Sequence, residues 1–301
     1  MSMQNGQSAA GANRGLQVSS AGIPWVLGAI FLFVSMDTMV KTLLRDGYDL
    51  PQVVWGRYFF HVLLMAIVLA PRLKKVAQSG NLRLQLLRSV LMLATTSLFF
   101  AGLQFVPLAE ASAMMLISPL IVTALAVPFL KESVGPRRWA GVIIGLVGAL
   151  IIIRPGSELM QLGILLPAMA ACCYAIYQIS TRLLSQADPI VTTLFYTALV
   201  GAVLTSLVAP FYWTDPTPFA WALMVAAGIC GGVGHFALIK ALTLSPASVI
   251  APYSYMNLIW ATAFGYIIFA EIPDISTIGG AAIITASGLY VYHREHRRKA
   301  I

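Results

Sequence analysis

Apolar runs separated by short polar segments fill the chain from residue 22 to residue 292. Each run is 17 to 24 residues long, which as a helix crosses, or nearly crosses, the roughly 30 Å of hydrocarbon in a bilayer. Helices are the expected form of these runs, because a helix satisfies its own backbone hydrogen bonds in lipid. The pattern predicts an all-α membrane protein with ten transmembrane helices, at residues 22–43, 52–70, 86–105, 108–130, 137–153, 162–183, 190–212, 219–242, 246–269 and 276–292.

The composition agrees with a membrane protein, since 59% of the residues are hydrophobic and only 10% are charged. Soluble domains carry about 25% charged residues. The net charge of +8 lies in short loops and at the C-terminus, where basic residues set orientation, so we expect no nucleic-acid partner. Cys172, Cys173 and Cys230 lie inside apolar runs without metal-ligand spacing, so we predict no metal site and no cofactor.

The distribution of Lys and Arg predicts the orientation of the chain. With a cytoplasmic N-terminus, 15 of the 19 Lys and Arg residues fall on the inside, three fall outside, and Arg57 lies within a span. This asymmetry places both termini in the cytoplasm. Residues 1–20 are polar and predict a disordered tail, and residues 294–301 predict a basic cytoplasmic tail that contacts anionic lipid.

The two halves of the chain resemble each other when the first is shifted by 139 residues. In that register Pro107 aligns with Pro246, and Glu132 aligns with Glu271. Five spans per half is an odd number, so the second copy must cross the membrane in the opposite direction. The charges agree, because KESVGPRR after span 4 is basic and its counterpart AEIPDIST is acidic. Inverted repeats of this kind are typical of transporters whose site lies near the midplane.

Residues 87–156 and their weaker echo in the second half resemble the drug/metabolite transporter superfamily, specifically its EamA-like ten-helix carriers. The shared features are an Arg opening span 3, a Pro-Leu-Ala-Glu-Ala entry to span 4, a Ser-Pro within it, a following acidic residue and a Gly-rich span 5. The resemblance implies two repeats, at residues 21–155 and 160–293. It also implies alternating access around a cavity lined by spans 1–4 and 6–9. The family handles many small solutes, so the resemblance does not indicate which one.

Two charged residues are predicted to lie close together in spans 1 and 2. Asp37 and Arg57 each lie five or six residues from the predicted outer end, roughly 8 Å deep, so their side chains can meet. Charges at such depth are costly and usually functional, which makes both candidates for substrate contact or gating. Alternatively, Arg57 reaches the outer headgroups and Asp37 only neutralises it. Lys41 and His61 each follow by one turn and are predicted to join this cluster.

Four residues are candidates for proton coupling, each with a structural alternative. Asp37 and His61 belong to the predicted cluster, and His61 can equally be a hydrogen-bonded packing residue. Glu110, at the start of span 4, either stabilises the helix N-terminus or binds a proton at the mouth of the cavity. His235 follows the glycines of span 8, which permit close helix packing.

Polar and aromatic residues near mid-membrane suggest the lining of a binding site. Buried aromatic rings beside amides suit an amphipathic organic ligand, although ordinary packing between helices is the alternative for each residue. The glycines of span 5, Gly141, Gly145 and Gly148, predict close helix packing, with a homodimer seam as the alternative. The predicted lining consists of Ser118, Tyr174, Tyr177, Gln178, Tyr253, Tyr255, Asn257 and Trp260.

These patterns predict a secondary active transporter of the inner membrane that exports a small amino-acid-like or amphipathic metabolite. Uptake of a vitamin or nucleoside-like cofactor, of the riboflavin or S-adenosylmethionine type, is the alternative. No ATPase motif is present, so the driving force is an ion gradient, exchange or the solute gradient. An intramembrane enzyme would have only the cluster around Arg57 for catalysis. A non-transporting membrane protein would need neither a polar cavity nor an inverted repeat.

Overall fold

The apolar runs form helices wherever the computed structural model describes the chain, and the described residues contain no β-strand. The predicted N-terminal tail, residues 1–20, lies outside the described residues. So does the loop at residues 131–134, which holds the predicted repeat partner of Glu271. The structure describes residues 21–130, 135–155, 162–184, 187–245 and 250–299.

The helices follow the predicted spans closely, with differences of a few residues at most ends. Short 3-10 turns extend or precede some of them, as at Ala209–Tyr212 and Ala251–Tyr255. The α-helices of the described residues are α1 (Ile23–Arg45), α2 (Leu50–Leu69), α3 (Leu73–Val76), α4 (Leu82–Gly102), α5 (Leu108–Met115), α6 (Ser118–Leu130), α7 (Pro136–Ile153), α8 (Leu165–Leu184), α9 (Ile190–Val208), α10 (Pro218–Leu244), α11 (Met256–Phe269) and α12 (Ile275–Lys299).

Six helical segments of the described chain are long and apolar enough to cross a bilayer. Two further apolar helices, Trp139–Ile153 and Ile275–Tyr290, are shorter. The backbone of α12 continues to Lys299, so most of the predicted basic tail at residues 294–301 is helical rather than a separate segment. The six long segments are Ile23–Arg45, Leu50–Val76, Leu82–Gly102, Leu108–Phe129, Ile190–Tyr212 and Pro218–Leu244.

The predicted fourth span is broken into two helices, α5 and α6. The break falls at Leu116 and Ile117, whose amides bond three residues back, to the carbonyls of Ala113 and Met114. Pro119 lies in the first turn of α6, where its missing N–H costs nothing, so it starts a half-helix rather than kinking a continuous one.

The ninth span is broken at the equivalent place. In the repeat register of 139 residues, the junction at Leu116 and Ile117 aligns with Tyr255 and Met256. There the 3-10 turn Ala251–Tyr255 gives way to α11. Broken helices at matching positions of two halves are a feature of inverted-repeat transporters, because the irregular backbone can line a cavity.

The packing separates a central group of helices from a peripheral pair. In the central group, α1 packs mainly on α10, α2 lies between α9 and α10, and α4 lies between α8 and α9. The helix α7 packs along α12, where an added Cβ on Gly148 would lie 2.8 Å from the carbonyl of Gly280. The Ser287 hydroxyl donates to the carbonyl of Gly141. The predicted glycine seam is therefore occupied within the chain, by α12, and not left for a second copy.

Candidate functional site

A cavity of about 330 Å³ lies between the helices of the two halves. One face of α1 lines it, from Val26 to Asp37, and one face of α4 lines it, from Met92 to Phe100. Both breaks also contribute, through Met115 and Leu116 beside α6 and through Asn257 at the start of α11. The irregular backbone of the fourth and ninth spans thus borders the enclosed space.

Asp37 and Arg57 line this cavity with opposite charges. Their exposed fractions are only 7% and 2%. No ion pair joins them among the described residues, so the expectation of a direct contact is wrong. The Arg57 atoms Nε and Nη1 are buried without a hydrogen-bond partner in the described part of the chain. An unsatisfied buried donor costs about 1–3 kcal/mol, so Arg57 is prepared for an external acceptor.

Lys41 does not join Asp37, contrary to the prediction from their spacing. Its ammonium lies 2.7 Å from Oε1 of Glu271 and donates to the carbonyl of Val106 at 2.8 Å. Arg45, one turn later on α1, also pairs with Glu271. The end of α1 is therefore tied to the end of α11, away from the cavity.

Glu271 also performs the role that the sequence suggested for Glu110. Its Oε2 accepts a hydrogen bond of 2.9 Å from the amide of Leu108, the first residue of α5. Glu110 is half-buried in the first turn of α5 and does not line the cavity. Helix N-terminal amides lack partners within the helix, and here the partner comes from the other repeat.

The two histidines lie together at the wall of the cavity. His61 stacks on His235 with ring centroids 5.9 Å apart, but only His235 borders the cavity. His61 is 2% exposed, and its Nδ1 has no hydrogen-bond partner within the described ranges. Phe33 covers the His235 ring edge-on at 4.9 Å. The pair therefore packs α2 against α10 directly behind Arg57.

Half of the predicted lining reaches the cavity. Ser118, Tyr174, Gln178 and Asn257 border it. The amide of Gln178 donates to the hydroxyl of Ser118 at 3.0 Å, which joins α8 to the start of α6. These four residues come from both repeats, as a site at the repeat interface requires.

The other predicted lining residues lie elsewhere. Trp260 packs edge-on against Phe31, with centroids 5.1 Å apart, on the far side of α1. Tyr177 turns away from the cavity toward Arg88. Tyr253 and Tyr255 pack against the hydrophobic core instead of bordering the cavity. A run of aromatic residues at mid-membrane does not show which way each ring points, because a helix presents successive residues to different neighbours.

Arg88 is a buried residue that the sequence analysis placed among the cytoplasmic charges. It is 2% exposed, and every donor is used inside the bundle. Nε donates to Thr181 at 2.6 Å, Nη2 donates to the Tyr177 hydroxyl at 2.5 Å, and Nη1 donates to the Thr197 hydroxyl at 2.7 Å and the Thr193 carbonyl at 3.0 Å. Arg88 therefore fastens α4 to α8 and α9.

The sequence analysis also missed most of the apolar wall. Met92, Thr95, Thr96 and Phe99 line the cavity at the spacing of one helix face, and this spacing is visible in the sequence. Among the described residues, no group of three or more His, Cys, Asp or Glu could hold a metal ion. The remaining lining residues that no sequence feature singled out include Phe33, Met36, Phe100, Ser112, Met115 and Ser254.

Known proteins resemble this chain along nearly its whole length. An S-adenosylmethionine uptake transporter of Rickettsia bellii is 30% identical over 95% of this chain and 98% of its own. A riboflavin transporter of Vibrio cholerae is 28% identical over 92% and 94% of the two chains. A pseudopaline exporter of Pseudomonas aeruginosa is 24% identical over 90% and 96%.

A solved crystal structure with 18% sequence identity superposes over 93% of this chain and 99% of that chain, with a TM-score of 0.64, which supports the fold. The model of the EamA-like transporter family matches this chain twice, at residues 20–154 and 161–292. With its apolar helices, this makes the chain a multi-pass protein of the bacterial inner membrane. The chain belongs to the EamA-like transporter family.

Proposed function

We propose that the chain is a secondary active transporter that moves a small organic metabolite by alternating access around the central cavity. The observation that carries this proposal is the pair of helix breaks at repeat-equivalent positions, bordering a cavity with unpaired buried charges. Irregular backbone at membrane depth is tolerated where it lines a cavity. An enzyme would need reacting groups held in contact, whereas Asp37 and Arg57 form no ion pair in the described chain.

The proposal includes ten spans in two inverted repeats with both termini in the cytoplasm. The basic residues that this orientation places outside are Lys41, Arg45 and Arg154. Each pairs with an acidic residue of the corner after α11, since Lys41 and Arg45 contact Glu271 and Arg154 contacts Asp274. Paired basic residues carry little net charge, so these exceptions to the orientation rule support the proposed topology.

The first candidate cargo is an amino-acid-like or amphipathic metabolite moved outward. The second candidate, uptake of a nucleoside-like cofactor, is favoured by the relative from Rickettsia bellii, which is named for uptake and aligns with 95% of this chain. A cavity of about 330 Å³ accommodates either kind of solute, since small-molecule pockets measure about 300–1,000 Å³.

Counterflow in proteoliposomes tests the transport function. Vesicles containing purified protein would be loaded with a pool of amino acids, S-adenosylmethionine and riboflavin, and each labelled solute would then be added outside. We expect at least one solute to accumulate above protein-free vesicles, in exchange mode or under a proton gradient. Separate right-side-out and inside-out membrane vesicles then give the direction. If no solute accumulates in either mode, the transport proposal fails.

A further inference from the structure

We infer that the cavity recognises solutes with a zwitterionic α-amino acid group, holding the carboxylate at Arg57 and the ammonium at Asp37. This inference rests on the proposed transport function and names the chemical class of its cargo. It goes beyond that function because a carrier of vitamins or drugs would need neither charge.

Arg57 is the residue that points to an anionic group on the cargo. Among the described residues that line the cavity, it is the one Lys or Arg. Its Nε and Nη1 are buried and unpartnered within the described chain, although a guanidinium of this burial normally finds acceptors. Arg88 illustrates the contrast, because all its donors are used by Tyr177 and by threonines. A carboxylate matches the planar guanidinium in charge and geometry.

Asp37 points to a cationic group on the same cargo. It is the one carboxylate among the described lining residues. The basic residue one turn later, Lys41, is committed to Glu271 and to a backbone carbonyl, so it leaves the Asp37 carboxylate for a ligand. An amine or a carboxylic acid alone would pair one of the two residues and leave the other buried without a partner, which is costly. A zwitterion pairs both and adds no net charge to the bilayer interior.

The wall of the cavity indicates what accompanies the amino acid group. Met36, Met92 and Met115 line it together with Phe99 and Phe100. Thioether sulfur is polarisable and contacts aromatic rings favourably. A cavity of about 330 Å³ falls in the range of sites that bind drug-sized molecules. The expected cargo is therefore an α-amino acid with an extended apolar, aromatic or heteroaromatic portion.

The test compares solutes on the wild-type protein. The panel contains the standard amino acids, S-adenosylmethionine and S-adenosylhomocysteine, with riboflavin and adenosine as aromatic solutes that lack the amino acid group. We expect counterflow with at least one zwitterion. Analogues of that solute without the carboxylate or without the ammonium should exchange at least tenfold less well; for tryptophan these are tryptamine and indole-3-propionate.

Variants then assign the charges to residues. Arg57→Gln should weaken binding of the zwitterion at least tenfold and narrow its advantage over the analogue without a carboxylate. Asp37→Asn should do the same for the analogue without an ammonium. Arg83→Gln, which alters an exposed Arg on α4, should bind as the wild type does. Size-exclusion profiles check that each variant folds, and the wild-type comparison stands even where a variant does not.

The outcomes separate the inference from the function beneath it. Accumulation of riboflavin or adenosine without any zwitterion would overturn the inference and leave the transport function in place. Equal exchange of a zwitterion and its two analogues would overturn it in the same way. Accumulation of no solute would overturn both.

Discussion

The ammonium of Lys41 lies 2.7 Å from the Glu271 carboxylate, and this pair joins the first repeat to the second at one end of the bundle. Glu271 also pairs with Arg45 and accepts the amide of Leu108. One side chain after α11 therefore holds the end of α1 and the start of α5 together. Because alternating access requires the two ends of a carrier to open in turn, this contact must break in any state that opens at that end.

Glu271→Gln is predicted to open this end of the bundle more often. The substitution removes the charge that holds Lys41 and Arg45, and an ion pair of this kind contributes up to about 1 kcal/mol, or about a fivefold change in population. The measurement is the labelling rate of Ser112→Cys, in the cavity wall, by an impermeant maleimide. The native cysteines would be replaced by serine, and the reagent would be applied from the Glu271 side.

Asp215→Asn is the matched control, because it removes an exposed carboxylate from another loop. It should leave the labelling rate unchanged. A Glu271→Gln protein that labels no faster than this control would show that the ion pairs do not hold the end closed.

Arg88→Lys is predicted to destabilise the bundle by at least about 2 kcal/mol. Lysine cannot reach Tyr177, Thr181 and Thr197 together, and a hydrogen bond to a charged group contributes about 1.5–3 kcal/mol. Thermal unfolding in detergent measures the change, with Arg83→Lys on the exposed face of α4 as the control. Equal unfolding temperatures for the two variants would mean that the Arg88 network contributes little.

Gly280→Ala is predicted to destabilise the peripheral pair by about 1–3 kcal/mol, the usual cost of overpacking. Its Cβ would lie 2.5 Å from the Gly148 carbonyl and 2.6 Å from a side-chain carbon of Ile152, so α7 and α12 would have to separate. Gly279→Ala is the neighbouring control, since its Cβ would meet nothing within 4 Å. That variant should be as stable as the wild type or more so, because Ala favours helix. Two equally stable variants would contradict the close packing.

Asp188 is predicted to make stability depend on pH at the other end of the bundle. Burial raises the pKa of this carboxyl, but hydrogen bonds from Ser79, the Gly80 amide and Gln85 outweigh burial and leave the pKa below its usual value. A lowered pKa stabilises the folded chain above the unfolded pKa of about 4, and this contribution is lost as pH falls through the folded value.

The stability difference between the wild type and Asp188→Asn should therefore be constant from pH 7 to about pH 5 and shrink below about pH 4. Thermal unfolding at a series of pH values measures it. Asp215→Asn controls for the loss of one negative charge. A difference that stays the same down to pH 3 would contradict the role of the hydrogen bonds.

The helices and their approximate limits could be predicted from the sequence, because the length of an apolar run reflects the thickness of the bilayer. The repeat register of 139 residues also carried information about structure, since both broken spans break at positions that it aligns. The breaks themselves were not predicted. A continuous apolar run does not reveal where the backbone bonds change from four residues to three.

The sequence by itself determined which residues were too polar for lipid, and it singled out Asp37, Arg57 and Glu271 for that reason. Only the tertiary structure decided their partners. By spacing on α1, Lys41 belonged with Asp37, yet it pairs with Glu271, which lies 230 residues away in the chain. Burial in lipid forces every charge to find a partner or a wet cavity. Which of these it finds depends on contacts between helices, and local sequence does not encode them.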